Sequence, residues 1–145
     1  MCIRDRDETP GQPPVAVQHP ADYAGNQVVV QIQPDVWAIY AHFQPGSVAV
    51  RVGERVTTGQ RLGLLGSSGN SDAPHLHFQL SDGPDVITAN SLPFVFDRYT
   101  LAGTVDQEAL AATIADPSAA AAAIVGPPTS QAGTHPLVLT VQDFP

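Results

Sequence analysis

The segment His75-Leu76-His77 carries the side chains best suited to chemistry in this sequence. Residues i and i+2 of a strand point to the same side, so we expect both imidazoles on one face and Leu76 in the core on the other. Imidazole binds zinc and also titrates near neutral pH, so one ring can hold a metal while the other faces a reaction. His-x-His is common on the wet face of ordinary strands, and the pair needs further support.

His42 is the second candidate, and it lies in the alternating segment WAIYAHF of residues 37–43. Strict alternation places Tyr40 and His42 on one strand face. The other face then carries four residues that we expect in the core: Trp37, Ile39, Ala41 and Phe43.

Short alternating segments separated by Gly and Pro are expected to position these histidines. The first two, joined by Pro34-Asp35, predict an antiparallel hairpin. The spacing of the whole set predicts a mostly β fold, an antiparallel sheet or sandwich of short strands. The segments cover residues 27–33, 37–43, 48–52, 60–65 and 75–80.

Residues 66–74 are rich in turn formers and predict a loop before the two histidines. Asn70 and Ser71 in this loop are candidates for substrate contacts, and a purely structural turn is the alternative. Farther along, Thr104 and Gln107 have the spacing of a capping box and predict a helix, with Leu110 and Ile114 in its apolar stripe.

Composition excludes several classes of protein. The chain has 145 residues, a net charge of −8 and no Lys, so it lacks the clustered cations of a nucleic-acid-binding surface. Cys2 is the only cysteine, which excludes an internal disulfide. No apolar stretch approaches the roughly 20 residues of a transmembrane helix, and no signal peptide is visible.

Several motifs occur in an order that resembles the lysostaphin/LytM family of zinc metallopeptidases. The segments YAHF, VRVGERVTTGQ, LGLLGSSGNS and PHLHF match that family's Tyr-x-His-Leu strand, its Val-x-x-Gly-x-x-Val-x-x-Gly-Gln hairpin, its Gly-x-(Ser/Thr)-Gly loop and its His-Leu-His-Phe strand. The resemblance covers residues 25–80. The order of the motifs is far more specific than any one of them.

The resemblance implies a zinc endopeptidase that cuts peptide cross-links of peptidoglycan in the cell envelope, periplasmic or extracellular, by a zinc-activated water. His77 matches the family's metal ligand. His42 and His75 match the two histidines that flank the bound water and assist proton transfer or stabilise the oxyanion. Tyr40 is a weaker candidate for binding substrate.

The sequence departs from that family at the remaining zinc ligands. The family has a His and, four residues later, an Asp upstream, and no His-x-x-x-Asp occurs here. His19-Pro20-Ala21-Asp22 is one residue too short, and Gln79 stands where many members have Glu. Since a catalytic zinc normally has three protein ligands, we expect this chain to be inactive by itself. It is either the C-terminal part of a complete enzyme or a degenerate, non-catalytic module that binds the wall or regulates other wall hydrolases.

Two further classes of protein share features with this sequence. A biotinyl or lipoyl carrier module shares the Gly-rich hairpin but requires a modified Lys, which this chain lacks. A plain β-rich module that binds sugar or peptide through Trp37, Tyr40 and the loop stays open.

We expect six segments along the chain. The first six residues differ in character from the rest and read as a non-native leader or a short tail. The segments are the leader over 1–6, a Pro-rich connector over 7–24, a partial peptidase-like β domain over 25–100, a helix over 101–116, an Ala/Pro-rich linker over 117–134 and a possible terminal strand over 135–145.

Overall fold

The computed structural model describes residues 20–71, 73–116, 118 and 122–145. The expected leader, most of the connector including His19, and part of the linker lie outside these residues. The described chain is mostly strand, in two antiparallel sheets, which confirms the predicted fold class. It divides into two compact units between Pro93 and Phe94, so the domain boundary expected at residue 100 falls within a strand of the second unit.

The first unit contains a four-stranded sheet that follows a 3-10 turn over Pro20–Asp22. Its strands are β1 over Asn26–Gln33, β2 over Val36–Phe43, β3 over His77–Ser81 and β4 over Ser91–Leu92. They pair antiparallel in the order β1-β2-β3-β4. The β1–β2 hairpin turns at Pro34-Asp35, as the sequence predicts, and Asp35 adopts a φ of 57° there.

A bulge in β2 changes which residues face the core. Val28 pairs with Tyr40 but Asn26 pairs with Phe43, so two residues of β2, Ala41 and His42, lie opposite one residue of β1. His42 has a φ of 65°, a left-handed conformation that is uncommon for a non-glycine residue. The extra residue breaks the strict alternation that the sequence predicts, because a bulge re-aims the side chains beyond it.

The core of the first unit confirms this shift of faces. Val28, Phe43 and Val50 form a buried cluster against which Tyr40 and other apolar residues pack. Phe43 therefore lies on the Tyr40 side of the sheet, and its expected place beside Ile39 is wrong. The further packed residues are Val30, Val48, Val56 and Leu62.

The segments 48–52 and 60–65 contact each other and the sheet without forming the predicted strands. They are joined by single backbone hydrogen bonds, such as Ala49 N to Leu62 O at 2.8 Å, and by an isolated bridge between Phe43 and Leu65. Two turns join the segments: the side chain of Glu54 accepts from the backbone N–H of Arg51 at 2.9 Å, and that of Gln60 accepts from the backbone N–H of Thr57 at 3.1 Å.

The second unit contains three strands and, among the described residues, one helix: β5 over Phe96–Thr104, α1 over Gln107–Ala115, β6 over Thr129–Thr134 and β7 over Thr140–Asp143. The strands form one sheet in the order β6-β5-β7. The last six residues of the expected linker form β6. No helix in the described part of the chain has the length and apolar character needed to cross a bilayer.

The predicted cap of α1 is wrong. Thr104 ends β5, and Asp106 caps the helix through a carboxylate that accepts from the backbone N–H groups of Glu108 and Ala109, both at 3.0 Å. A carboxylate at this position satisfies N–H groups that have no partner within the helix. The predicted apolar stripe is only partly buried, since Ile114 is 52% exposed.

Candidate functional site

Three histidines meet at the bulged end of β2. The ring centroid of His42 lies 4.7 Å from that of His75 and 5.6 Å from that of His77. His77 pairs across the sheet with Ala41, so its side chain shares the face of Ala41. The bulge brings His42 to that same face, and without it strict alternation would place the two imidazoles on opposite sides.

His42 is the buried member of this group, with 3% of its surface exposed. Its backbone N–H donates to the carbonyl oxygen of Ala24 at 3.0 Å, and its ring Nδ1 lies 2.6 Å from the carbonyl oxygen of Ser68. Burial lowers the pKa of His42 below its usual value, the Ser68 carbonyl acts in the opposite direction, and the neighbouring His75 and His77 lower the pKa further. His42 is therefore favoured in its neutral form.

His75 is exposed at its edge of the group and is held by the loop before it. Its Nδ1 lies 2.8 Å from the carbonyl oxygen of Ala73 and 3.2 Å from the hydroxyl of Ser71. A carbonyl oxygen accepts only, so Nδ1 carries the proton and Nε2 the lone pair. The hydroxyl of Ser71 also forms a hydrogen bond with the hydroxyl of Ser67 at 3.0 Å, which ties Ser71 to the start of the loop.

His77 is oriented by a neighbour two positions along β3. Its Nε2 lies 2.8 Å from the Oε1 of Gln79, which accepts and leaves the lone pair on Nδ1. Gln79 thus has a defined role as the hydrogen-bond partner of His77, although the sequence marks it only as a departure from the usual Glu. The residue between the two histidines, Leu76, is 46% exposed, so its predicted place in the core is wrong.

The predicted substrate contacts separate in the structure. Ser71 is buried, 7% exposed, and supports His75, whereas Asn70 is exposed and bonds through its backbone N–H to Tyr23 O at 2.9 Å. Tyr40 lies on the core face, where its ring packs against Phe78 at 5.1 Å and burial raises its pKa. It lines, with Trp37, a groove of about 1060 Å³ that does not include the histidines.

The described residues do not form a complete zinc site. No group of three His, Cys, Asp or Glu side chains among them is arranged to hold a metal ion. Catalytic zinc sites have three protein ligands, so His77 would need partners from elsewhere. Asp22 is buried in the 3-10 turn, while its candidate partner His19 lies outside the described residues.

Comparison with known proteins gives several partial matches. The chain is 42% identical to peptidoglycan DD-endopeptidase ShyA of Vibrio cholerae over 62 residues, 43% of this chain and 14% of that protein. It is 37% identical to cell division protein DipM of Caulobacter vibrioides over 71 residues, 44% of this chain and 11% of that protein.

A third relative matches more closely over a shorter stretch. Glycyl-glycine endopeptidase ALE-1 of Staphylococcus capitis is 63% identical over 30 residues, 21% of this chain and 8% of that protein. The matched region thus spans less than a sixth of the length of each of these relatives. No solved structure matches the chain. The profile of peptidase family M23 matches residues 11–88, more than half of the sequence, and the chain therefore belongs to this family.

Proposed function

We propose that this chain is the C-terminal part of a zinc-dependent endopeptidase that hydrolyses peptide bonds in peptidoglycan cross-links, in the periplasm or outside the cell. The observation that carries the proposal is the meeting of His42, His75 and His77 on one face of the sheet. The family membership and the endopeptidase names of ShyA and ALE-1 support it.

The hydrogen bonds of the three rings suit different roles. His77 presents the lone pair of Nδ1 because Gln79 accepts from its Nε2–H, and it is our candidate zinc ligand. His42 and His75 each place Nδ1 against a backbone carbonyl and so present Nε2 as a proton acceptor. Imidazoles placed in this way are suited to general acid–base catalysis near neutral pH.

The incomplete metal site bears on the activity of the 145-residue chain by itself. No three side chains among the described residues are arranged to bind zinc, and a catalytic zinc normally has three protein ligands. We therefore propose that the 145-residue chain does not hydrolyse peptidoglycan alone and that upstream residues of a longer protein complete the site. The second candidate function is a non-catalytic wall-binding or regulatory module, and the same lack of ligands favours it.

Digestion of purified peptidoglycan, followed by mass spectrometry of the released muropeptides, distinguishes the two functions. The protein extended by the genomic sequence upstream of codon 7 should cleave cross-links, and His77→Ala should abolish cleavage. His135→Ala is the matched control, since His135 is an exposed histidine of the second unit. Substrates with direct D-amino-acid cross-links and with glycine bridges should be compared.

An extended protein that binds peptidoglycan and leaves every cross-link intact would establish the non-catalytic module. Cleavage that survives His77→Ala would contradict the role of that residue.

A further inference from the structure

One buried serine joins the loop to both strands of the hairpin. Ser68 is 0% exposed, and its hydroxyl donates to the carbonyl oxygen of Phe43 at 2.7 Å while accepting the backbone N–H of Asn26 at 3.0 Å. Phe43 is the last residue of β2 and Asn26 the first of β1. Both hydrogen-bonding functions of the hydroxyl are therefore used to hold the loop against the strand ends, beside the bulge.

The same residue meets His42 through its backbone. The carbonyl oxygen of Ser68 lies 2.6 Å from Nδ1 of His42, slightly shorter than the roughly 2.7–3.2 Å that is usual for an N–H···O hydrogen bond. Because a carbonyl oxygen has no proton to give, the proton of this bond belongs to Nδ1 and the lone pair of the ring is left on Nε2. The position of this one carbonyl thus selects the tautomer of His42.

Close backbone packing leaves the loop little freedom to shift. A Cβ on Gly25 would lie 2.3 Å from the carbonyl carbon of Ser68, and a Cβ on Gly69 would lie 2.4 Å from the backbone nitrogen of Gly25. The side-chain Nδ2 of Asn26 also donates to the carbonyl oxygen of Phe43 at 3.2 Å. The strand ends and the loop therefore form one packed unit around His42.

We propose that Ser68 is a positioning residue for His42: its buried hydroxyl places its own carbonyl oxygen so that the imidazole is held as the Nδ1–H tautomer, with Nε2 presented to the site. What Nε2 does for a substrate rests on the proposed function. The positioning itself rests only on the contacts of these residues and can be tested without metal or substrate.

Nuclear magnetic resonance of the 145-residue chain with ring-¹⁵N-labelled histidine tests the proposal. In the wild type, His42 should show a protonated Nδ1, an unprotonated Nε2, and an Nδ1–H protected from exchange with solvent. Ser68→Ala should remove both hydroxyl bonds, and the His42 signals should move towards a mixture of tautomers. Ser68→Thr, which retains the hydroxyl, should restore the single tautomer.

Ser81→Ala is the matched control. Ser81 is also 0% exposed, and its hydroxyl also donates to a carbonyl oxygen, that of Gly83 at 2.7 Å. It pairs with Trp37, at the opposite end of β2 from His42. This variant should keep the wild-type His42 tautomer even if it lowers the stability of the fold.

Three results would overturn the proposal. They are an Nε2–H or mixed tautomer in the wild type, an unchanged His42 in folded Ser68→Ala, and the same change of tautomer in Ser81→Ala. If Ser68→Ala does not fold, the test uses the wild type and Ser68→Thr. Both should show the Nδ1–H tautomer of His42, and any other tautomer in either protein contradicts the proposal. A peptidase test that fails leaves these measurements unaffected, so the two proposals can fail separately.

Discussion

The imidazole of His42 lies 5.6 Å from that of His77, although the residue of β2 that pairs with His77 is Ala41. Adjacent residues of a regular strand face opposite sides of the sheet, so this approach requires the irregularity at the end of β2. The register shift between Asn26 and Val28 and the φ of 65° at His42 together supply it. The bulge is thus the feature of the fold that assembles the site.

The left-handed conformation of His42 predicts an unequal effect of two substitutions. His42→Asn and His42→Val both remove the imidazole, but Asn adopts positive φ more readily than a β-branched residue. We expect His42→Val to lower the free energy of unfolding by about 1–2 kcal/mol more than His42→Asn, measured by urea denaturation followed by circular dichroism.

The same pair of substitutions at His75 is the control, because His75 is not among the described residues with positive φ. His75→Val and His75→Asn should therefore differ little. An equal loss of stability for the two His42 variants would contradict a strained bulge.

A second prediction separates backbone strain from steric crowding in the loop. Gly69 and Gly46 have similar φ values, 79° and 68°, but a Cβ on Gly69 would meet backbone atoms whereas a Cβ on Gly46 would meet nothing within 4 Å. Gly46→Ala should cost only the conformational strain, about 1 kcal/mol. Gly69→Ala should cost about 1–3 kcal/mol more because the backbone of Gly25 would have to move. Comparable urea midpoints for the two variants would refute the close packing of Gly25 and Gly69.

The sequence predicts the hairpin and the meeting of the histidines better than it predicts the local geometry. Alternation and the Pro34-Asp35 turn are strong local signals, and β1 and β2 form where they indicate. A period of two carries no signal for a bulge at a histidine, so the predicted faces of Phe43 and His42 are wrong. Their positions depend on tertiary contacts such as that of Ser68 with both strand ends, which no local pattern encodes.

The predicted helix cap shows a similar limit. Thr104 and Gln107 match the spacing of a capping box, but Thr104 pairs with Thr140 in the second sheet, and Asp106 caps the helix instead. Sheet pairing competed with a local motif and determined where the helix begins.

A third prediction concerns the dependence of stability on pH. Burial lowers the pKa of His42 in the folded state, so the unfolded chain binds its proton at higher pH than the folded chain does. The stability contributed by neutral His42 is therefore complete above the ordinary histidine value of about 6.5 and is lost as pH falls below it towards the folded pKa. The free energy of unfolding of the wild type should decrease as the pH is lowered from about 7.5 to about 5.5, a range that brackets the ordinary histidine pKa.

The variant His42→Asn should show a smaller decrease over the same range, since it lacks the group that titrates. His135→Asn is the control, because His135 is an exposed histidine of the second unit. A wild type and a His42→Asn variant with the same slope of stability against pH would show that protonation of His42 is not coupled to folding.

The last prediction concerns zinc. His42 and His75 turn Nδ1 towards backbone carbonyls and His77 turns Nε2 towards Gln79, and the described residues contain no group of three side chains arranged for a metal. Since a catalytic zinc needs three protein ligands, the purified 145-residue chain should bind zinc weakly and without 1:1 stoichiometry in isothermal titration calorimetry. His77→Ala should change this weak binding little, whereas in an extended protein that supplies the missing ligands it should remove a stoichiometric site. A 1:1 zinc site of micromolar or tighter affinity in the chain alone would show that its own residues complete the site.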